Sequence, residues 1–222
     1  MIDSFLNYSR YISVFFPIIP LIVSLYRIES RSFPYRYIVL LLTASLSIDI
    51  VNLLVLPRFN NESTILLHFY TLSEFIILAL FFRTIIYNDT IKKGLILMII
   101  VFGLFKIIDM VLITGTEKLD SLAITISSFF FTGLALLFYW QTFQRLEVEA
   151  LERYPLFWIN TGILFYFAGN LITFMFSNYI TQQGYEYFIT HWLLHNFFSL
   201  FKYVAFSIGL WLLPRPQRIS LS

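Results

Sequence analysis

The sequence predicts an all-α fold, a polytopic membrane protein built as a seven-transmembrane-helix bundle with its N-terminus outside and its C-terminus in the cytoplasm. Three observations lead there. Hydrophobic residues make up 59% of the chain and charged residues 13%, and the mean hydropathy of +0.78 lies outside the range of soluble domains. Apolar stretches close to the roughly 20 residues needed to cross a bilayer recur along the chain between short polar connections. Lys and Arg collect in alternate connections, as the positive-inside rule requires of a multi-pass protein.

The predicted spans run from Tyr11 to Tyr26, Tyr37 to Leu56, Thr64 to Tyr87, Gly94 to Thr114, Leu119 to Phe143, Leu156 to Phe176 and Phe188 to Leu213. The first is read as a retained helix because residues 1–10 carry Asp3, lack a basic start and are followed by no small-residue cleavage site. Its Pro17 and Pro20 predict a kink, since proline removes a backbone donor and crowds the preceding turn. Connections such as Pro57 to Ser63 and Gly115 to Lys118 are too short for a separate domain, so residues 1–222 form one transmembrane domain.

Charge placement sets the orientation. One set of connections holds Arg27, Arg31, Arg36, Arg83, Lys92, Lys93, Arg145, Arg153, Arg215 and Arg218, and the opposite set holds Arg10, Arg58 and Lys118. The first set is therefore cytoplasmic. The net charge of +2 is too small and too dispersed for a nucleic-acid partner, which leaves the lipid bilayer and a cytoplasmic or membrane protein as expected partners. The absence of cysteine removes disulfides, thiolate metal sites and cysteine nucleophiles.

Candidate functional residues are the polar groups inside the spans, because an ionisable side chain in hydrocarbon costs several kcal/mol unless it is paired or faces water. The second span carries Asp49 and Asn52, the third His68 and Glu74, the fourth Lys106 and Asp109, the sixth Asn160 and Asn170, and the seventh His191, His195, Asn196 and Lys202. With a rise of about 1.5 Å per residue, Asp49, Asn52, His68, Asp109, Asn170, His191 and His195 all fall within roughly 10 Å of the outer boundary. This predicts one outer polar layer holding all three histidines. On the seventh span, His191, His195, Ser199 and Lys202 share a face at helical spacing and are expected to point into the bundle.

Plainer roles stand beside these. Lys106 and Asp109, three residues apart, fit a neutralising pair. His68 and His191 are expected half-solvated near the interface, and Lys202 is expected to snorkel toward the cytoplasmic side. Thr125, Ser128 and Thr132 fit a close-packing stripe, and the many Phe, Tyr and Trp residues fit lipid-facing or belt positions, Trp140, Trp158 and Trp211 among them. Asn61-Glu62-Ser63 and Asn88-Asp89-Thr90 both match a glycosylation pattern on opposite sides of the membrane, so the pattern carries no weight.

Two resemblances bear on function. The run His68 to Phe75, the stretch Phe157 to Asn170 and the stretch Asn196 to Trp211 together are similar to an uncharacterised group of bacterial seven-helix integral membrane proteins, which implies the fold and no mechanism. His191 and His195 form an HxxxH pair that resembles the last helix of the CREST hydrolases, seven-helix enzymes that include alkaline ceramidases and adiponectin-type receptors. That resemblance implies a zinc site made by His191, His195 and His68 with a carboxylate from Asp49, Asp109 or Glu74, and a metal-dependent hydrolase acting on lipid. The chain departs from it, because His68 sits on the third span, is preceded at four residues by Thr64, and is followed by no Asp on that span. Lys202 on the last span suggests retinal, but the residue four before it is Phe198 and not an Asp. The expected function is a non-enzymatic membrane module, a sensor or receptor-like bundle or a scaffold acting with a separate partner. Its expected docking surface is the charged connection from Arg145 to Pro155.

Overall fold

In the computed structural model, the described residues are 13–27, 32–52, 64–113, 121–145, 150–175 and 185–214, and the side chains of 64, 65, 113, 185–189 and 191 lie outside the description. Among them are seven α-helices and no strand: α1 Ile18–Leu25, α2 Tyr35–Ile50, α3 Thr64–Ile85, α4 Asp89–Ile108, α5 Ser121–Arg145, α6 Pro155–Met175 and α7 Tyr185–Trp211. Five of them, α3 to α7, are long and apolar enough to cross a membrane, which fits a multi-pass membrane protein.

Helix ends differ from the sequence expectation where polar residues act locally. The fourth helix starts at Asp89, ahead of the expected Gly94, because the Asn88 side chain accepts from the amides of Thr90 and Ile91 and caps the first turn. The Asn-Asp-Thr triplet there is a helix cap. The first span is interrupted where the proline kink is expected: Ser13 is helical, residues 14–17 form turns, and the helix restarts at Ile18 with Pro17 as its N-cap and Pro20 in the first turn, where amides have no intrahelical acceptor to lose. After α4 the chain continues as a π-helical turn, Asp109–Ile113, and the ends of the second and fourth expected spans, at Leu56 and Thr114, lie outside the described residues.

The helices pack as a ring in which α1 contacts α2, α2 contacts α3, α3 contacts α5, α5 contacts α6, α6 contacts α7, and α7 returns to α1. Helix α4 packs on α3 outside that ring and turns Leu97, Leu104, Ile107 and Val111 outward. An apolar helix in this position satisfies its backbone internally and needs no further protein cover in lipid.

Two devices bring the ring together. The α6–α7 seam is closed by glycines: a Cβ on Gly162 would lie 3.1 Å from the Lys202 carbonyl, and one on Gly209 would lie 2.8 Å from the Pro155 carbonyl. Small residues permit this approach, and packing rather than the hydrophobic effect drives helix association in lipid. Across the ring, Phe75 of α3 stacks on Phe102 of α4 at 3.8 Å between centroids, and Phe131 of α5 lies 5.1 Å from Phe75 and 5.0 Å from Phe167 of α6. These buried rings form an apolar cluster beside Glu74, to which Phe75 is adjacent in sequence, and Phe167 extends it to the cavity wall.

Candidate functional site

The polar core sits near mid-height of the bundle. Lys202 of α7 is 2% exposed, and its ammonium lies 3.6 Å from the Glu74 Oε1 of α3, 3.5 Å from the centre of the Tyr166 ring of α6 and 4.9 Å from that of Tyr203. Tyr70, one turn before Glu74, donates its hydroxyl to Glu74 Oε1 at 3.1 Å. Tyr203 shares a 2.7 Å hydrogen bond with Ser45 of α2. Asp49, one turn beyond Ser45 and half-buried, is a second carboxylate close enough for its charge to act on Lys202. The ammonium is thus held by the Glu74 carboxylate of α3 and the ring faces of Tyr166 of α6 and Tyr203 of α7. This is the arrangement expected of a charge kept inside a membrane domain.

Above this core lies a cavity of about 150 Å³. Helix α3 lines it with Leu67, Tyr70, Thr71 and Glu74, α5 with Ile124, α6 with Tyr166, Phe167, Asn170 and Phe174, and α7 with Trp192 and His195. Residues near the N-terminal ends of α3, α5 and α7 and the C-terminal end of α6 contribute, so the cavity runs from one end of the antiparallel bundle to Glu74, whose carboxylate pairs with Lys202 behind it. From His195 to Lys202 the rise is about 10 Å at 1.5 Å per residue. His195 is surrounded by the rings of Phe174, Tyr166 and Trp192 at 5.6, 5.9 and 6.2 Å, and its Nδ1 bonds Asn170 Oδ1 at 3.0 Å. Because Oδ1 only accepts, His195 Nδ1 carries the hydrogen.

A separate polar contact joins α3 to α4. Lys106 Nζ donates to His68 Nδ1 at 3.0 Å, both residues being buried. An ammonium only donates, so the His68 ring hydrogen sits on Nε2, the opposite tautomer to His195. Asp109, fully buried, opens the π-helical turn one helical turn beyond Lys106.

Laterally, these polar residues divide between two clusters. Asn170, His195, Glu74, Lys202 and Asp49 converge inside the ring, while His68 pairs with Lys106 toward α4 and is not among the cavity-lining residues. His68 is 2% exposed where half-solvation was expected, and Lys202 does not snorkel, because Glu74 and the Tyr166 face hold it inside the bundle. Ser199 is buried on the same face of α7, Asn196 is half-buried, and Asn52 Oδ1 has no hydrogen-bond partner among the described residues. The His191 side chain lies outside the described residues, so the proposed zinc set His191, His195 and His68 has two described members, each in a different cluster. Among the described residues, no group of three His, Cys, Asp or Glu side chains is placed to hold a metal.

The aromatic residues are expected mainly at lipid-facing or belt positions, and Tyr70, Tyr166 and Tyr203 stand instead in the polar core. Their spacing carried the signal: Tyr70 precedes Glu74 by four, Tyr166 precedes Asn170 by four, and Tyr203 adjoins Lys202. Trp140 and Trp211 are exposed as belt residues are, the latter beneath the Arg27 guanidinium at 4.5 Å. Compared with known protein families, curated proteins and solved structures, the chain matches none.

Proposed function

We propose that this chain is a seven-span protein of the cell membrane, N-terminus outside and C-terminus in the cytoplasm, that acts as a sensor of a small molecule and signals through a separate protein partner. One observation carries the reading: a cavity at one end of the bundle reaches Glu74, whose buried ion pair with Lys202 joins α3 to α7, with Tyr166 of α6 over the ammonium and α2 tied in through the Ser45–Tyr203 hydrogen bond. A ligand entering there changes the surroundings of Glu74 and Lys202, and with them the packing of four helices. The cavity's aromatic and apolar walls with a few converging polar groups are what small-molecule sites in helix bundles have in common.

Orientation is supported by the far end of the bundle. Arg27 closes α1, Arg36 opens α2, Arg83 ends α3, and Arg145 ends α5 with its guanidinium 3.6 Å over the Tyr87 ring between α3 and α4. Gln141 of α5 accepts from the Tyr87 amide at the same place. These cationic ends face the cytoplasm and the cavity faces outward. The docking surface for the partner is the cytoplasmic connection after Arg145, whose described part is pinned when Trp158 Nε1 donates to the Glu152 carbonyl at 2.9 Å. Its residues 146–149 lie outside the described residues.

The cysteine-free sequence makes the test direct. With Asn61→Cys or Asn88→Cys introduced singly, a membrane-impermeant maleimide labels the first in intact cells and the second only after permeabilisation. The reverse pattern would turn the cavity toward the cytoplasm and end the outward-facing reading. Elemental analysis of the detergent-purified protein decides the enzymatic alternative. Stoichiometric zinc or iron that is lost in a His191→Ala, His195→Ala variant would replace the sensor with a metal-dependent hydrolase.

A further inference from the structure

We infer that the ligand class is a small primary amine with an aromatic body, its ammonium bound at Glu74 and its ring held between the α6 and α7 aromatics. The inference rests on the sensor reading and adds the chemistry of the ligand.

Charge comes first. Glu74 lines the cavity, and its carboxylate is shared between the Tyr70 hydroxyl and the Lys202 ammonium. A carboxylate buried in a membrane domain favours a cation beside it. The Lys202 ammonium stands 3.6 Å from Glu74 Oε1 and 3.5 Å from the centre of the Tyr166 ring, so it divides its contacts between the carboxylate and the ring face. Glu74 itself lines the cavity, so an incoming cation reaches its carboxylate without moving a helix.

Shape gives the rest. A cavity of about 150 Å³ is the size that accepts one benzene-sized ring in an apolar site. Phe167, Phe174, Ile124 and Leu67 give most of the lining an apolar character, and Thr71, Asn170 and His195 add a few polar atoms. Tyr166, Phe174 and Trp192 already collect around the flat ring of His195, the geometry that also suits a second flat ring. Along the axis, Leu67 to Glu74 spans about 10 Å at 1.5 Å per residue, enough for a ring with a short aminoalkyl arm. An ammonium of this kind competes with Lys202 for Glu74, so its binding changes the contact between α3 and α7 and supplies the switch that the sensor needs.

The experiment measures binding of benzylamine and of neutral benzyl alcohol to the full-length protein in detergent by calorimetry. A charge-assisted contact worth about 1.5–3 kcal/mol predicts that benzylamine binds roughly 10- to 100-fold more tightly. In Glu74→Gln the preference collapses toward parity while benzyl alcohol binding persists. Should that variant fail to fold, Lys202→Met provides the complementary sign: with the internal competitor gone, benzylamine affinity rises. Thr71→Phe, which fills the cavity, abolishes binding of both. Equal affinity for the amine and the alcohol in the unmodified protein, or loss of amine binding in Lys202→Met, would overturn the ligand class and leave a neutral-ligand pocket standing. Failure of both compounds to bind, with Thr71→Phe indistinguishable from the parent, would overturn the pocket as well.

Discussion

Replacing Lys202 by Met is the perturbation that the polar core resists most strongly. Methionine fills much of the volume of the lysine stem but leaves the Glu74 carboxylate in the bundle with the Tyr70 hydroxyl and no cation. At 3.6 Å and an effective dielectric of about 20, the lost attraction is about 4–5 kcal/mol. This agrees with the roughly 3–5 kcal/mol seen when one partner of a buried pair is removed. For a chain of this size each kcal/mol moves the midpoint by about 2–4 °C, so Lys202→Met should lower the thermal midpoint in detergent by roughly 6–20 °C. Glu74→Gln alone should also destabilise. The double variant should regain most of the loss, because a neutral Gln still accepts from Tyr70 and no charge is left unpaired. A single-variant loss below about 1 kcal/mol, or a double variant as unstable as the two losses added, would refute the pair as the centre of the core.

Gly209→Ala should cost about 1–3 kcal/mol in thermal unfolding, since its Cβ would meet the Pro155 carbonyl at 2.8 Å and backbone cannot step aside cheaply. Gly133→Ala, with nothing within 4 Å of its Cβ, should be neutral or slightly stabilising in the same assay. Asn160→Leu removes the 3.0 Å bond from Asn160 Nδ2 to the Ala135 carbonyl, which ties α6 to α5 at a fully buried position, and should cost about 1–3 kcal/mol. His68→Leu and Lys106→Met should show coupling of about 1–3 kcal/mol in a double-mutant cycle, while either alone leaves amine binding in the cavity within about threefold, because that contact lies outside the cavity lining.

How far the sequence carried can be judged from particular residues. Helix positions were legible because apolar length and polar connections are encoded locally, and the polar face of α7 was legible because residues four apart share a helix face. Depth was legible too, in that Asn170 and His195 meet as their counted heights required. What depth cannot give is azimuth. His68 and His195 lie at similar counted heights, yet one looks toward α4 and the other into the ring, because the packing order of helices follows from tertiary contacts such as the Phe75–Phe102 stack. Tyrosine was hidden for a related reason: its ring suits lipid, an interface or a buried cation equally, and only the neighbour decides. The α6–α7 seam went unread, although Gly162 and Gly169, seven residues apart on α6, both lie against α7.

The central claim is that a polar cavity penetrates to mid-height of a membrane-embedded bundle. Spin labels report it directly, attached to single cysteines at Thr71, on the cavity wall, and at Leu104, on the outward face of α4. In liposomes, power saturation should show the Thr71 label reached by a water-soluble nickel relaxant and the Leu104 label reached by oxygen and shielded from nickel. Shielding of both labels from nickel would contradict the cavity, and nickel access to both would contradict the membrane span.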